Sequence, residues 1–286
     1  MKETWEVAEP EKLTFDGPVT ALQVRIVNGT VNVVGTDGQS GARLEVSQVT
    51  GAPLRVTRKG STLTVAYEDL PWKGFLKWLE RKGRGRSAVV SLAVPAGASV
   101  EVGVVGASAT VSGIRGGAEV RGVNGDTTLV GLSGPIIAET VSGSLEAQAV
   151  TGDLRFHSVS GDLTVVEGAG SRVRAESVSG DMVIDLDPAA EPTDIRLTSV
   201  SGEVAIRLPH PADARVEANT VSGRVSNAFE DLRVSGQWGA KKITGTLGGG
   251  TGSLRATTVS GSIALLRRPP ADDEPREAVP APAKEL

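Results

Sequence analysis

The chain of 286 residues contains no cysteine. Disulfides, thiolate nucleophiles and cysteine-ligated zinc are thereby excluded. Aromatics make up only 3% of the residues, so neither a core of a few bulky layers nor the stacking platforms of a sugar-cleaving groove is well supplied. The two histidines, His157 and His210, supply no base that recurs beside a nucleophile and an orienting acid. No run of 18 apolar residues occurs, which excludes a transmembrane helix. The start, "MKETWEVAEPEKLTF", has no apolar stretch of the secretory kind. These features lead to the expectation of a cytoplasmic protein. The formal net charge is −4, and no nucleic-acid partner is expected without a basic face.

What the chain does have is glycine, 36 residues of it, set in a repeat. Residues 140–165 read "TVSGSLEAQAVTGDLRFHSVSGDLTV". Related triplets end at Gly125, Gly134, Gly143, Gly152 and Gly161, then at wider steps at Gly180, Gly202, Gly223, Gly245 and Gly261. Two residues before each glycine stands a β-branched residue or Leu, as at Val141, Val150, Val159 and Val178. Two residues after it stands an apolar one, as at Leu145, Leu154, Leu163 and Met182. This is the period of a strand. An odd repeat length forces a phase slip, which the polar residues His157, Glu176, Thr198, Asn219 and Thr257 place at the end of each strand, with both flanking valines and leucines aimed inward.

The reading is an all-β protein: a single-chain parallel β-solenoid, a β-helix-like rack. Each coil takes two units, which gives about twelve coils and a rod on the order of 55 Å. A β-sandwich-like stack is the alternative. Right-handed connections are favoured. Residues 1–19 form N-terminal cap strands, 20–267 the solenoid, and 268–286 a disordered tail rich in proline.

Units such as "VSGDL", "VSGSL" and "TVSGRV" resemble the bacterial β-strand-repeat family labelled "putative adhesin", domain of unknown function 4097. The likeness spans roughly residues 20–267. It implies a single-chain β-helix-like rack without a catalytic motif, and for some relatives a part in envelope-stress responses. The adhesin label implies surface display, from which this chain departs in having no export segment.

The repeat itself carries no recognisable chemistry. Calcium-binding nonapeptides need further glycines beside the Asp, and only the Asp is present, at positions 126, 153, 162 and 181. "GTLGGGTGS" lacks the Lys-Ser/Thr ending of a phosphate loop. No cofactor, metal or catalytic residue is expected, and the protein is read as a non-enzyme.

One stretch is foreign to the repeat, the insertion 68–88, "EDLPWKGFLKWLERKGRGRSA". Trp72, Phe75, Leu76 and Leu79 share one helical face, and Pro71 suits a first turn. A short amphipathic helix over about 70–82 is expected, followed by a basic loop. Trp72, Lys73, Phe75, Leu76, Lys77, Trp78, Arg81, Lys82, Arg84 and Arg86 are the candidate contact residues. The helix either covers an edge of the rack or meets anionic lipid, with aromatics at headgroup level. Two functions remain open. One is a structural or interaction scaffold, self-associating or bound to a protein partner and touching the inner face of a membrane. The other is a carbohydrate-binding or carbohydrate-active solenoid, with Asp162, Glu176, Asp181 and Glu203 as its candidate carboxylates.

Overall fold

The computed structural model describes residues 2–67, 85–187, 192–237 and 239–268. Among these there are 24 strands and no helix. The N-terminal part holds β1 (Lys2–Val7), β2 (Glu11–Phe15), β3 (Ala21–Thr36), β4 (Ala42–Thr50), β5 (Leu54–Lys59), β6 (Thr62–Ala66), β7 (Ser87–Pro95) and β8 (Ser99–Ser112). The middle holds β9 (Ala118–Arg121), β10 (Thr127–Val130), β11 (Ile136–Thr140), β12 (Leu145–Gln148), β13 (Leu154–Ser158), β14 (Leu163–Gly168), β15 (Arg172–Ser177), β16 (Met182–Leu186), β17 (Asp194–Ser199) and β18 (Val204–Leu208). The last part holds β19 (Ala214–Thr220), β20 (Val225–Asn227), β21 (Leu232–Gln237), β22 (Ala240–Leu247), β23 (Gly252–Thr258) and β24 (Ile263–Arg267).

The strands form two parallel ladders that face each other across the core. The odd-numbered strands β9, β11, β13, β15 and β17 stack in one. The even-numbered β10, β12, β14, β16 and β18 stack in the other. The long strand β8 belongs to both, since Val100 pairs with Ala118 of β9 and Ala109 with Thr127 of β10. The result is one continuous sheet wound into a solenoid-like, nearly closed barrel. The expected apolar positions after each glycine lie inside: Leu145, Leu154, Leu163, Met182 and Val204 are at most 3% exposed. With Phe156, Ile184, Leu197 and their neighbours they form one core along the rod. A side chain buried there contributes about 1.5–3 kcal/mol.

Three details depart from the sequence reading. The valines before the glycines do not all point inward. Val159, Val178, Val200, Val221 and Val259 are 47–59% exposed, whereas Ile114, Leu132 and Val150, at the opposite corner of the coil, are buried. The phase slip also lies later than expected. His157 and Glu176 are regular outward strand positions, and the two successive outward residues are the Val-Ser pair that follows. Finally, Gly245 is not a corner, because it lies inside β22, which runs antiparallel to β19.

Both ends are closed out of sequence order. At the start, β3 lies between β6 and β7 on one side and β8 on the other, with β4 and β5 added antiparallel beyond. At the finish, β23 pairs with β17 on one side and β19 on the other, and β24 lies likewise between β18 and β20. The last coil is therefore wedged between two earlier ones. The hairpin β21–β22 covers the outer side of β19. Among the described residues ten layers result, fewer than the twelve coils expected: seven two-strand coils, β3 and β8 each spanning both ladders as one strand, and β6 with β7; the remaining strands are spent on antiparallel caps. Such caps shield the edges that a bare parallel stack would leave open.

Candidate functional site

At one corner the triplet is extended by a hydroxyl residue, giving Thr/Ser-Val-Ser-Gly. The serine N–H of Ser142, Ser160, Ser179, Ser201, Ser260 and Ser222 donates to the carbonyl of the neighbouring coil's valine at 2.8–2.9 Å. The same serine's hydroxyl donates to that carbonyl at 3.1–3.4 Å. At five of these corners the leading hydroxyl accepts the glycine N–H, as from Gly161 to Ser158 Oγ at 2.6 Å and from Gly180 to Ser177 Oγ at 2.9 Å, whereas the Ser199 hydroxyl donates to the Ser201 carbonyl at 2.8 Å. A Cβ on Gly143, Gly161, Gly180, Gly202, Gly223 or Gly261 would collide with the carbonyl oxygen of the glycine in the adjacent coil. At the opposite corner the same holds between Gly152 and Gly134. Gly125 stacks in turn on Ala107. The serine and glycine N–H groups of the repeat are thus committed to holding the coils together.

The aspartates after the glycines are used in the same way. Asp162 Oδ1 accepts the N–H of Asp181 at 2.8 Å, and Asp181 Oδ1 accepts that of Glu203 at 2.7 Å. Glu176 lies 3.5 Å from His157 Nδ1. The four candidate carboxylates therefore follow successive corners and strands instead of converging on one point. Among the described residues no group of three or more His, Asp or Glu is placed to hold a metal ion.

Of the insertion, Trp72, Lys73, Phe75, Leu76, Lys77, Trp78, Arg81, Lys82 and Arg84 lie outside the described residues, as does the helix expected there. Its two attachment points are described. Tyr67, 1% exposed, follows β6, and the guanidinium of Arg86 sits 5.5 Å from its ring centroid. Burial raises the Tyr67 pKa, with Arg86 opposing. Asn28 Nδ2 donates to the Arg86 carbonyl at 3.0 Å. The end of β6 and the start of β7, Ala66 and Ser87, pair with Arg25 and Asn28 of β3, at the corner in line with the exposed valines.

The outward side of the odd-numbered ladder holds a feature that reading along the chain missed. Arg155, Arg174, Arg196 and Arg255 are in register on four adjacent strands, β13, β15, β17 and β23. Neighbouring strands lie about 4.8 Å apart. Arg174 approaches Asp194 at 3.8 Å and Arg255 approaches Glu217 at 3.9 Å. Among the described residues neither Arg155 nor Arg196 has an ion-pair partner. The outward positions of these four strands and β19 carry six arginines against Glu176, Asp194 and Glu217. The signal was present in the sequence, since each arginine of the column stands six residues before a Val-Ser-Gly glycine.

The column ends at a cavity of about 680 Å³, where the hairpin β21–β22 meets β19 and β23. Arg215, Glu217, Arg233, Lys242, Ser253 and Arg255 are among its lining residues. Lys242 Nζ donates to Glu217 at 2.8 Å and holds that carboxyl below its ordinary range. On the even-numbered side Asp185, 7% exposed, accepts from Arg207 Nε at 2.8 Å and pairs with Arg268 at 3.6 Å. The Arg207 hydrogen bond lowers the Asp185 pKa.

No curated protein matches the chain. Among solved structures it is similar to a "putative adhesin" from Bacteroides fragilis, at 12% identity and TM-score 0.41 over 94% of this chain and 96% of that one. It is similar also to a "putative lipid binding protein" from Parabacteroides distasonis, at 10% identity and TM-score 0.41 over 91% and 97%. A "putative adhesin" from Parabacteroides merdae matches at 10% identity and TM-score 0.39 over 91% and 97%. The model of the family described as Toastrack DUF4097 matches residues 19–266, nearly the whole two-ladder rod. With that match and the repeat-built solenoid together, the chain belongs to the Toastrack DUF4097 family.

Proposed function

We propose that the protein is a non-enzymatic interaction scaffold, a rod that presents ordered outer faces to partners at a membrane surface. The observation that carries this reading is where the polar groups of the repeat go. Serine hydroxyls, glycine N–H groups and aspartate carboxylates bind adjacent coils to each other. Groups committed in this way build a stiff object and are not free to transfer protons or attack a substrate. The composition of 72–86, with Trp72, Trp78 and six basic side chains, suits a peripheral contact with anionic lipid. A segment so short binds weakly alone, so membrane contact requires several rods or a second partner.

The test is co-sedimentation of the full chain with anionic and neutral vesicles, beside sedimentation velocity of the chain alone. Pelleting with anionic vesicles only, lost in Trp72→Ala/Trp78→Ala, supports the membrane contact. A chain that stays monomeric and leaves both vesicle types in the supernatant sinks it.

A further inference from the structure

Like charges directly opposite on neighbouring strands are destabilising, yet four arginines stand in one column on the odd-numbered ladder. The chain as a whole is acidic, so the column is a local exception to its charge balance. Carboxylates on the flanks compensate it only in part. Arg172 is held by Asp153 at 3.0 Å, while Arg155 and Arg196 point outward with no ion pair among the described residues. These two are separated by one strand, which sets them about 10 Å apart along the rod. Guanidinium groups prefer planar oxyanions that accept two parallel hydrogen bonds, the geometry of a carboxylate.

We propose that the column Arg155–Arg174–Arg196–Arg255, with the cavity at its end, binds a linear acidic polysaccharide lying along the rod axis. A 1,4-linked uronic acid chain advances by about one strand spacing per sugar. In its extended two-fold form, carboxylates on one edge recur every second sugar, which matches the alternate spacing of Arg155 and Arg196. Intervening hydroxyls meet Thr198 and Thr257, the outward neighbours on β17 and β23. Arg215 and Arg233 in the cavity receive the chain end. Outward positions on β13, β15, β17, β23 and β19 hold no Phe, Tyr or Trp, and His157 at the first strand is their one ring, whereas single-stranded nucleic acid relies on a succession of such platforms for its bases.

The inference rests on the scaffold reading and adds a ligand class to it. Binding of the full chain to labelled 1,4-linked oligogalacturonates of increasing length is measured by fluorescence anisotropy at low and moderate salt. Affinity is expected to rise with length until the column is spanned and to fall with added salt. Neutral dextran does not compete. Arg155→Gln/Arg196→Gln weakens binding about tenfold or more, while Arg43→Gln, an exposed arginine outside the column, leaves it within about twofold. No variant melts below wild type, because the altered side chains face solvent and the double variant relieves a like-charge contact with Arg174. The proposal is overturned if oligogalacturonate does not bind at low salt or if the double variant binds as wild type. It is equally overturned if inorganic polyphosphate or single-stranded RNA binds more tightly than the uronate. New reducing ends during incubation would instead sink the non-enzymatic reading while leaving the binding site in place.

Discussion

Replacing Gly161 by alanine puts a methyl group into the carbonyl of Gly143, so the coils must part or the corner must shift. Overpacking of this kind costs about 1–3 kcal/mol. Gly97 has open space around its Cβ position and no left-handed φ, so Gly97→Ala is expected to be neutral or to stabilise by about 0.4–1 kcal/mol through the unfolded chain. Urea denaturation of both variants checks the pair. The two hydroxyls of the corner separate in the same way. Ser177→Ala leaves the Gly180 N–H buried without its acceptor, at about 1–3 kcal/mol. Ser160→Ala removes an exposed second bond while the backbone bond to Val141 persists, at about 0.5–1 kcal/mol. The buried Asp185 gives the pH dependence. Its folded pKa lies below the unfolded value near 4, so its contribution is present above that value. It is lost as pH falls through the folded pKa, and stability drops on the acid side. Asp185→Asn is expected to lower stability at neutral pH by about 1–3 kcal/mol, a modest figure because the freed Arg207 is half exposed and rehydrates. The loss between neutral pH and pH 3 should be smaller in this variant than in wild type; equal acid losses would refute the assignment.

At the scale of elements, the wedge formed by β23 and β24 carries the closure of the C-terminal end. Leu254 is fully buried in β23, and Leu254→Ala is expected to cost about 2–5 kcal/mol. Because β23 bridges β17 and β19, the same variant should lose hydrogen-exchange protection in both neighbours. Val234→Ala on the outermost hairpin strand, where the side chain is 54% exposed, should change stability by no more than about 0.5 kcal/mol. The strands and their parallel stacking were legible in the sequence because alternation survives in every unit, as at Leu154, Phe156 and Leu163. The wedge was not legible. Steps of 21 and 22 residues around Gly202, Gly223 and Gly245 look like continued coiling, and the antiparallel turn of β22 leaves "ITG" indistinguishable from a corner triplet. Exposure of the Val-Ser-Gly valines was also hidden. Both corners present a β-branched residue or leucine two before glycine, and only the three-dimensional phase separates Val150 from Val159.

For the whole molecule, each coil touches chiefly the coils beside it, so stability accumulates along the rod as nearest-neighbour contributions. Hydrogen exchange is expected to be slowest in the central strands β11 to β16, bounded by coils on both sides, and faster toward β1 and β21; uniform protection would argue against this. The arginine column emerges only at this scale, since its members are separated by 19 to 59 residues in the chain and by one strand in space. Their shared place six residues before a repeat glycine could have revealed it, but only once the stacking order was known. The wedged last coil also bears on how the protein is made. A ribosome delivers residues 214–227 before residues 252–267, so the place between β18 and β20 must stay open while the hairpin emerges. Folding here cannot proceed as simple elongation from one end. It finishes when the last-made segment enters a gap held for it, and a nascent chain halted before Gly252 exposes two unpaired parallel edges to its neighbours on the polysome.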